Sequence, residues 1–341
     1  MINAEPRVLI RADGSHALGM GHIYRTLNLA DALCSWAKVS FLTREDVVAA
    51  AKLSEKYPTE TARDDDEEYA IIRAARPDVI IVDKLNTDAT YMKKLKNLSR
   101  VLVSFDDCGK GVYETDLAFN VLYHCDTPHK TSSKTRFFTE PSYAIINLRF
   151  SEAHRRKTRE PLRILVTLGG ADTLGLTPGV IETLDSLPEE FVITAVIGPA
   201  FKHYTELEKA VAGCTRRVDV RFNVSDMWNV MGESDLAISA GGNTLFELAA
   251  TGTPAVVLCE ELFEVETADR MMKSGTCENL GYSKQVDSER LRQTTQRMIN
   301  DQDKRKKMGL AGKKLIDGHG PERVSEIIRN RISERNKLLP A

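Results

Sequence analysis

The sequence contains no apolar run near the ~20 residues that a membrane-spanning helix requires. Its N-terminus, Met1 to Arg11, carries a short strand pattern where a signal peptide needs a longer apolar core. Net charge is nearly absent too. Lys plus Arg total 47 against 49 Asp plus Glu, a formal −2, which leaves no electrostatic footprint for nucleic acid or an anionic membrane. The six cysteines (Cys34, Cys108, Cys125, Cys214, Cys259, Cys277) show no CxxC or CxH spacing. They propose no metal site, and free, mostly packed thiols in a reducing cytoplasm are the expectation. No GxxxxGK followed by Ser or Thr occurs, which argues against a P-loop nucleotidase, and no GxSxG occurs either. The GxG at Gly19 and Gly21 runs into His22-Ile23-Tyr24-Arg25, with bulky residues where a dinucleotide fingerprint needs its third glycine, so hydride transfer loses its main support.

What is present is an α/β pattern. Hydrophobic content of 42% with 28% charged residues is the balance of a soluble globular protein, and the length accommodates two domains. Val8-Leu9-Ile10, Val39 to Leu42, Val79 to Val82 and Val101-Leu102-Val103 read as buried strands. Between the first two, Ile23, Leu27, Ala30 and Cys34 recur at helical spacing, and Asp64 to Ala75 reads as a second helix. Strands alternating with helices imply parallel pairing, because parallel neighbours need long crossovers.

Around Glu152 to Pro161 the chain turns charged and aperiodic and reads as a linker. The pattern then restarts with Leu162 to Leu168, a helix from Pro178 to Leu187, and strands at Val192 to Ile197, near Val218 to Phe222, at Leu236 to Ser239 and at Ala255 to Leu258. From Ser288 the chain is polar and helical apart from the turn Asp317 to Glu322. The basic residues Lys304 to Lys307 and Lys313-Lys314 read as a solvated helix face. Two α/β halves are therefore expected, an N-terminal domain over 1–153 and a C-terminal domain over 160–330.

In open parallel sheets ligands bind beyond the carboxyl ends of strands, at switch points and helix N-termini. Three glycine loops lie at such ends. In "SAGGNTLFELAATGTPAVV", Gly241 and Gly242 let backbone N–H groups approach an anion, Asn243 and Thr244 suit a helix cap, and Glu247 falls one turn on, where a carboxylate accepts from a ribose diol. The alternative is a tight turn with an exposed glutamate. In "TLGGADTLG", Gly169, Gly170 and Asp172 make either a second ligand loop or a turn for close packing. In "GMGHIYR", His22 sits at a helix N-terminus, whose dipole disfavours the imidazolium and suits a neutral general base. A lone histidine is also commonly structural. Arg25, one turn on, either orders the site or faces solvent. Asp13 either orients the imidazole or caps the loop. Asp83 and Asp106, at strand ends, either bind sugar hydroxyls or cap the next element.

The blocks "RADGSHALGMGHIYRTLNLADAL", "VSFDDCGKGVYETDLAFN", "LVTLGGADTLGLTPGVIETL", "SAGGNTLFELAATGTPAVVL" and "LIDGHGPERV" resemble, in order and over almost the whole chain, one family. It comprises the UDP-sugar hydrolase of pseudaminic acid biosynthesis and the related spore coat polysaccharide biosynthesis proteins. The resemblance implies a GT-B-like architecture, two Rossmann-like domains with parallel sheets facing a central cleft. It implies UDP held by the C-terminal domain, with Gly241, Gly242, Asn243 and Thr244 near the diphosphate and Glu247 on the ribose. It places the family's catalytic histidine on His22, which would activate water to release UDP and a free diacetamido-trideoxy sugar without a metal or other cofactor. Asp13, Gly19, Gly21, Arg25, Asp83, Asp106, Gly169 and Gly170 complete the expected substrate site. Where the pseudaminic acid hydrolases carry "DH" and an aromatic residue, this chain reads Asp83-Lys84-Leu85, which resembles the spore-coat branch. The expected partner is a small nucleotide sugar, in the cytoplasm. The alternatives are an inverting glycosyltransferase and a nucleotide-sugar-binding protein without catalysis.

Overall fold

The computed structural model describes residues 5–14, 21–122, 134–154 and 161–337. They form two compact units. The first runs to Ile145 and takes up the chain again from His319; the second is Ile146–Gly318.

The first unit is built from β1 (Arg7–Ala12), α1 (Gly21–Leu33), β2 (Lys38–Arg44), α2 (Val47–Ser54), β3 (Thr59–Ala62), α3 (Asp65–Ala75), β4 (Val79–Asp83), α4 (Ala89–Lys96), β5 (Val101–Phe105), β6 (Leu117–Phe119) and β7 (Arg136–Phe138). Its strands pair in the order β3-β2-β1-β4-β5-β6-β7, all parallel. The order reverses between β1 and β4, where Ala12 lies opposite Asp83. One face packs Val8, Ile10, Val79, Ile81, Val101 and Val103 against α1; the other packs Leu9, Leu42, Ile80, Val82 and Leu102 against α3 and α4. Burial on both faces is why these strands read as continuous apolar runs.

The second unit holds α5 (Arg149–Glu152), β8 (Leu162–Thr167), α6 (Leu176–Asp185), β9 (Phe191–Ile197), α7 (Tyr204–Gly213), β10 (Val218–Phe222), α8 (Met227–Gly232), β11 (Leu236–Ser239), α9 (Thr244–Thr251), β12 (Ala255–Cys259), α10 (Leu262–Lys273), β13 (Cys277–Tyr282), α11 (Ser288–Asn300) and α12 (Gln302–Leu315). Its parallel order is β10-β9-β8-β11-β12-β13, with the reversal between β8 and β11.

The last helix, α13 (Gly320–Lys337), belongs to the first unit rather than to the 160–330 domain expected from the sequence. The reason is its apolar stripe: Val324, Ile328 and Ile332, at i, i+4 and i+8, are buried in the core that also holds Ile23 and Leu33 of α1. Polar contacts follow the same docking. Trp36 Nε1 donates to Ser325 Oγ at 2.8 Å, and Arg335 reaches Asp116 at 2.6 Å. The second unit also begins earlier than 160, because Phe150 packs edge-on to Trp228 and Arg149 lies over the same indole. Of the expected linker, 155–160 lies outside the described residues.

Three other expectations are corrected. In α1 the buried face is Ile23, Thr26, Leu29, Ala30 and Leu33, while Cys34 is exposed in the turn after the helix has ended. The thiols of Cys34, Cys214, Cys259 and Cys277 are free, but Cys108 is disulfide-bonded; Cys125 lies outside the described residues. A disulfide is a tertiary pairing that spacing along the chain does not reveal. Within the basic run, Arg305 is buried, donating to the carbonyls of Met298 and Ile299 at the end of α11. A cation there satisfies carbonyls that the helix leaves unpaired. Among the described residues no helix is long and apolar enough to cross a membrane.

Candidate active site

The first unit brings four predicted residues together at the reversal of its sheet. His22 is the second residue of α1, and Asp83 ends β4. His22 Nδ1 lies 2.7 Å from Asp83 Oδ1. Arg25, one turn further along α1, donates through Nε to Asp83 Oδ2 at 2.9 Å and through Nη2 to Oδ1 at 2.5 Å, a bidentate clamp. Its Nη1 donates to Asp106, whose other oxygen accepts the backbone N–H groups of Val121 at 2.8 Å and Leu122 at 2.9 Å. Arg25 is therefore buried and ordering, not facing solvent. Asp83 and Asp106 are both held by Arg25, and Asp106 also caps the turn at Val121 and Leu122.

Asp83 is 2% exposed, and burial by itself would raise its pKa. The charge of Arg25 and the hydrogen bonds from Arg25 and His22 outweigh that and hold it down to about 2. A permanent carboxylate fixes the tautomer of its neighbour. His22 donates Nδ1–H to Asp83, leaving Nε2 with its lone pair. Arg25 Nη2 also comes within 3.2 Å of Nδ1. Both nitrogens are then donors, so this contact is a consequence of their converging on one oxygen and not a hydrogen bond. His22 itself keeps its side chain 27% exposed, open to a reactant.

Asp13, the expected orienting group, does something else. It accepts from Arg11 Nη1 at 2.5 Å and from the backbone N–H of Arg44 at 3.0 Å. Strand alternation explains this: Asp13 shares the face of Arg11, opposite to that of Ile10 and Ala12, where α1 packs. Gly21 is the exposed first residue of α1; Gly19 lies outside the described residues.

In the second unit both glycine loops flank the sheet reversal. After β8, Gly169 has φ +78°, and a Cβ at Gly169 or Gly170 would meet nothing within 4 Å. Asp172 does not join a ligand set, because its carboxylate caps α6 through the N–H groups of Leu176 at 2.7 Å and Thr177 at 2.9 Å. After β11, Gly241 is packed so closely that a Cβ would lie 2.8 Å from that of Glu264. The Glu264 carboxylate accepts the N–H groups of Glu260 at 2.8 Å and Glu261 at 3.3 Å beside this glycine. Asn243 occupies the N-cap position without a side-chain cap bond. The N–H groups of Gly242, Asn243 and Thr244 carry no hydrogen bond among the described residues. Three such donors at the start of a helix form a place where an anion is favoured.

Glu247, in the first turn of α9, is half-buried; its carboxyl has no hydrogen-bond or ion-pair partner among the described residues, and burial pushes it up to about 7. Sequence reasoning missed Glu260, just past β12. It accepts the backbone N–H of Thr173 at 3.1 Å and its hydroxyl at 2.8 Å, tying the end of β12 to the loop after β8, and burial pushes it too up to about 7. Its position directly after an apolar strand was the available signal. Among the described residues no group of three or more His, Cys, Asp or Glu is arranged to hold a metal ion.

Residues 163–319 match the glycosyltransferase family 28 C-terminal domain. The chain is 26% identical over 332 residues to the spore coat polysaccharide biosynthesis protein SpsG of Bacillus subtilis, covering 94% of this chain and 97% of that protein. It is 29% identical over 282 residues to an uncharacterized protein of Methanocaldococcus jannaschii, covering 78% of this chain but only 58% of that relative's length. Among solved structures, Acinetobacter baumannii MurG superposes with a TM-score of 0.70 at 14% identity, covering 95% of this chain and 99% of that one. Anabaena HepE, solved in complex with UDP, superposes with a TM-score of 0.66 at 12% identity, covering 95% and 100%. The fold is that of the GT-B glycosyltransferases, two parallel-sheet α/β domains.

Proposed function

We propose that this chain is an enzyme of polysaccharide biosynthesis that hydrolyses a UDP-activated diacetamido-trideoxy sugar, with His22 as general base. The observation that carries this reading is the pairing of His22 Nδ1 with an Asp83 carboxylate that Arg25 keeps ionised. Nε2 takes a proton from water as the water oxygen forms its bond to the anomeric carbon. The bond from that carbon to the diphosphate oxygen breaks, and its electron pair leaves with UDP. Asp83 stabilises the imidazolium that forms and does not itself take the proton. The N–H groups of Gly242, Asn243 and Thr244 receive the charge on the diphosphate, and Glu247 accepts from the ribose diol. The family 28 match and the likeness to SpsG support a nucleotide-sugar substrate.

A second reading has a specific observation in its favour. The family 28 domain and the MurG-like fold suit an inverting glycosyl transfer, in which His22 takes the proton of an acceptor hydroxyl instead of water. Purified protein mixed with UDP-amino sugars in water, followed by NMR for UDP, separates the two. UDP release without an acceptor supports hydrolysis; release only on adding acceptor supports transfer. Tight binding with release in neither condition overturns both. His22→Ala should retain binding and lose about 10²-fold or more in turnover.

A further inference from the structure

The face of the first sheet that turns away from α1 carries a second charged cluster at the same carboxyl edge. Arg11, wholly buried on β1, donates through Nε to Glu68 on α3 at 2.8 Å and through Nη1 to Asp13 at 2.5 Å. Glu68, equally buried, also accepts from Tyr91 Oη of α4 at 2.5 Å and lies 3.4 Å from Arg44 Nη2. Asp13 further accepts the Arg44 N–H. The acceptors facing this cluster are thus taken.

The donors are not. Arg11 Nη2 and Arg44 Nη1 are buried with no hydrogen-bond partner among the described residues. Lys84, the residue after Asp83, is half-buried with its Nζ 4.6 Å from the centre of the Tyr91 ring. It has no hydrogen bond or ion pair among the described residues. Burial, and then the charge of Arg11, lower its pKa, so the fold holds this cation at a cost. Arg11, Glu68 and Asp13 would close as an ion network without it. Three cations meet two half-buried or buried carboxylates, and Arg44 spends part of its guanidinium on exposed Asp65. Two guanidinium N–H donors and one ammonium thus lack an acceptor in one buried cluster.

We infer that Lys84, with Arg44 and Arg11 behind it, forms a subsite for an anionic oxygen group, a carboxylate or phosphate, on a small molecule. It lies beside the His22 site but on the opposite face of the sheet, one residue along from Asp83.

The test uses the full chain with its lysines 13C-dimethylated and inorganic phosphate as the probe, at ionic strength matched with KCl. The resonance lost in Lys84→Met is that of Lys84. Phosphate should move it saturably, and acetate should do so more weakly. Phosphate affinity read at the backbone N–H groups of Asp13 and Arg44 should fall about tenfold or more in Lys84→Met and be retained in Lys84→Arg, the scale of one charge-assisted hydrogen bond. A Lys84 resonance that responds to KCl and phosphate alike overturns the subsite, as does equal affinity in wild type and Lys84→Met. Turnover is not measured, and His22→Ala should bind phosphate here as wild type does, so failure of the proposed catalysis would leave this result readable.

Discussion

His22 and Asp83 stand 61 residues apart in the chain and 2.7 Å apart in space, Nδ1 to Oδ1, across the point where the first sheet reverses its strand order. Arg25 grips the same carboxylate from the next turn of the helix that carries His22. One helix therefore supplies the proposed base and the cation that keeps its partner charged.

Asp83→Asn should cut kcat by about 10²- to 10⁴-fold with little change in substrate affinity, because an amide no longer dictates which imidazole nitrogen carries the proton. Steady-state kinetics together with a separate binding measurement check this. Equal losses in Asp83→Asn and Asp83→Ala with intact folding are expected; full activity in Asp83→Asn would remove the pair from the mechanism.

Arg25→Met should destabilise the first unit by about 3–5 kcal/mol, since Asp83 and Asp106 would be left buried without their cation. Urea unfolding reads the loss directly. Removing one of the two negative charges with Asp106→Asn in the same chain should recover part of it, a coupling that a double-mutant cycle exposes.

Glu260 gives stability a defined dependence on pH. Its carboxyl is raised from 4.5 to about 7 in the folded chain, so the folded state holds a proton that the unfolded state has released. That contribution is fully present below the unfolded value and disappears as pH rises from about 4.5 through 7. Glu260→Gln, neutral throughout, should flatten the fall in Tm across this window. Parallel Tm curves for the two proteins would contradict the assignment.

Ile328→Ala should cost about 2–5 kcal/mol, the range for deleting a large buried aliphatic side chain. The loss should register in the first unit, with hydrogen exchange quickening in α1 and β5, although residue 328 follows the whole second unit in sequence. Exchange confined to the second unit would contradict the docking of α13.

Most strands that were legible in the sequence are buried on both faces, where a continuous apolar run is required: β1, β2, β4, β5, β8, β9, β11 and β12. β10, a half-exposed edge strand, was legible instead through the alternation of Val218, Val220 and Phe222. β3, with its sequence Thr59-Glu60-Thr61-Ala62, lies at a sheet edge and needs little apolar surface. The short β6 and β7 carry too few residues for a period to show. In the site, Asp13 is the nearer carboxylate along the chain, yet the period-2 alternation of β1 sends it away from α1 and toward Arg11.

The sequence by itself determined the two α/β halves, the glycine loops at strand ends and the placing of His22 and Arg25 one turn apart, because these follow from local periodicity and backbone geometry. Only the tertiary structure decided that Asp83 meets His22, that Glu264 packs against Gly241, that Lys84 makes no ion pair among the described residues and that α13 returns to the first sheet. Each of these depends on which faces pack together across tens to hundreds of residues, and that is set by burial and charge pairing in the assembled core rather than by any spacing along the chain.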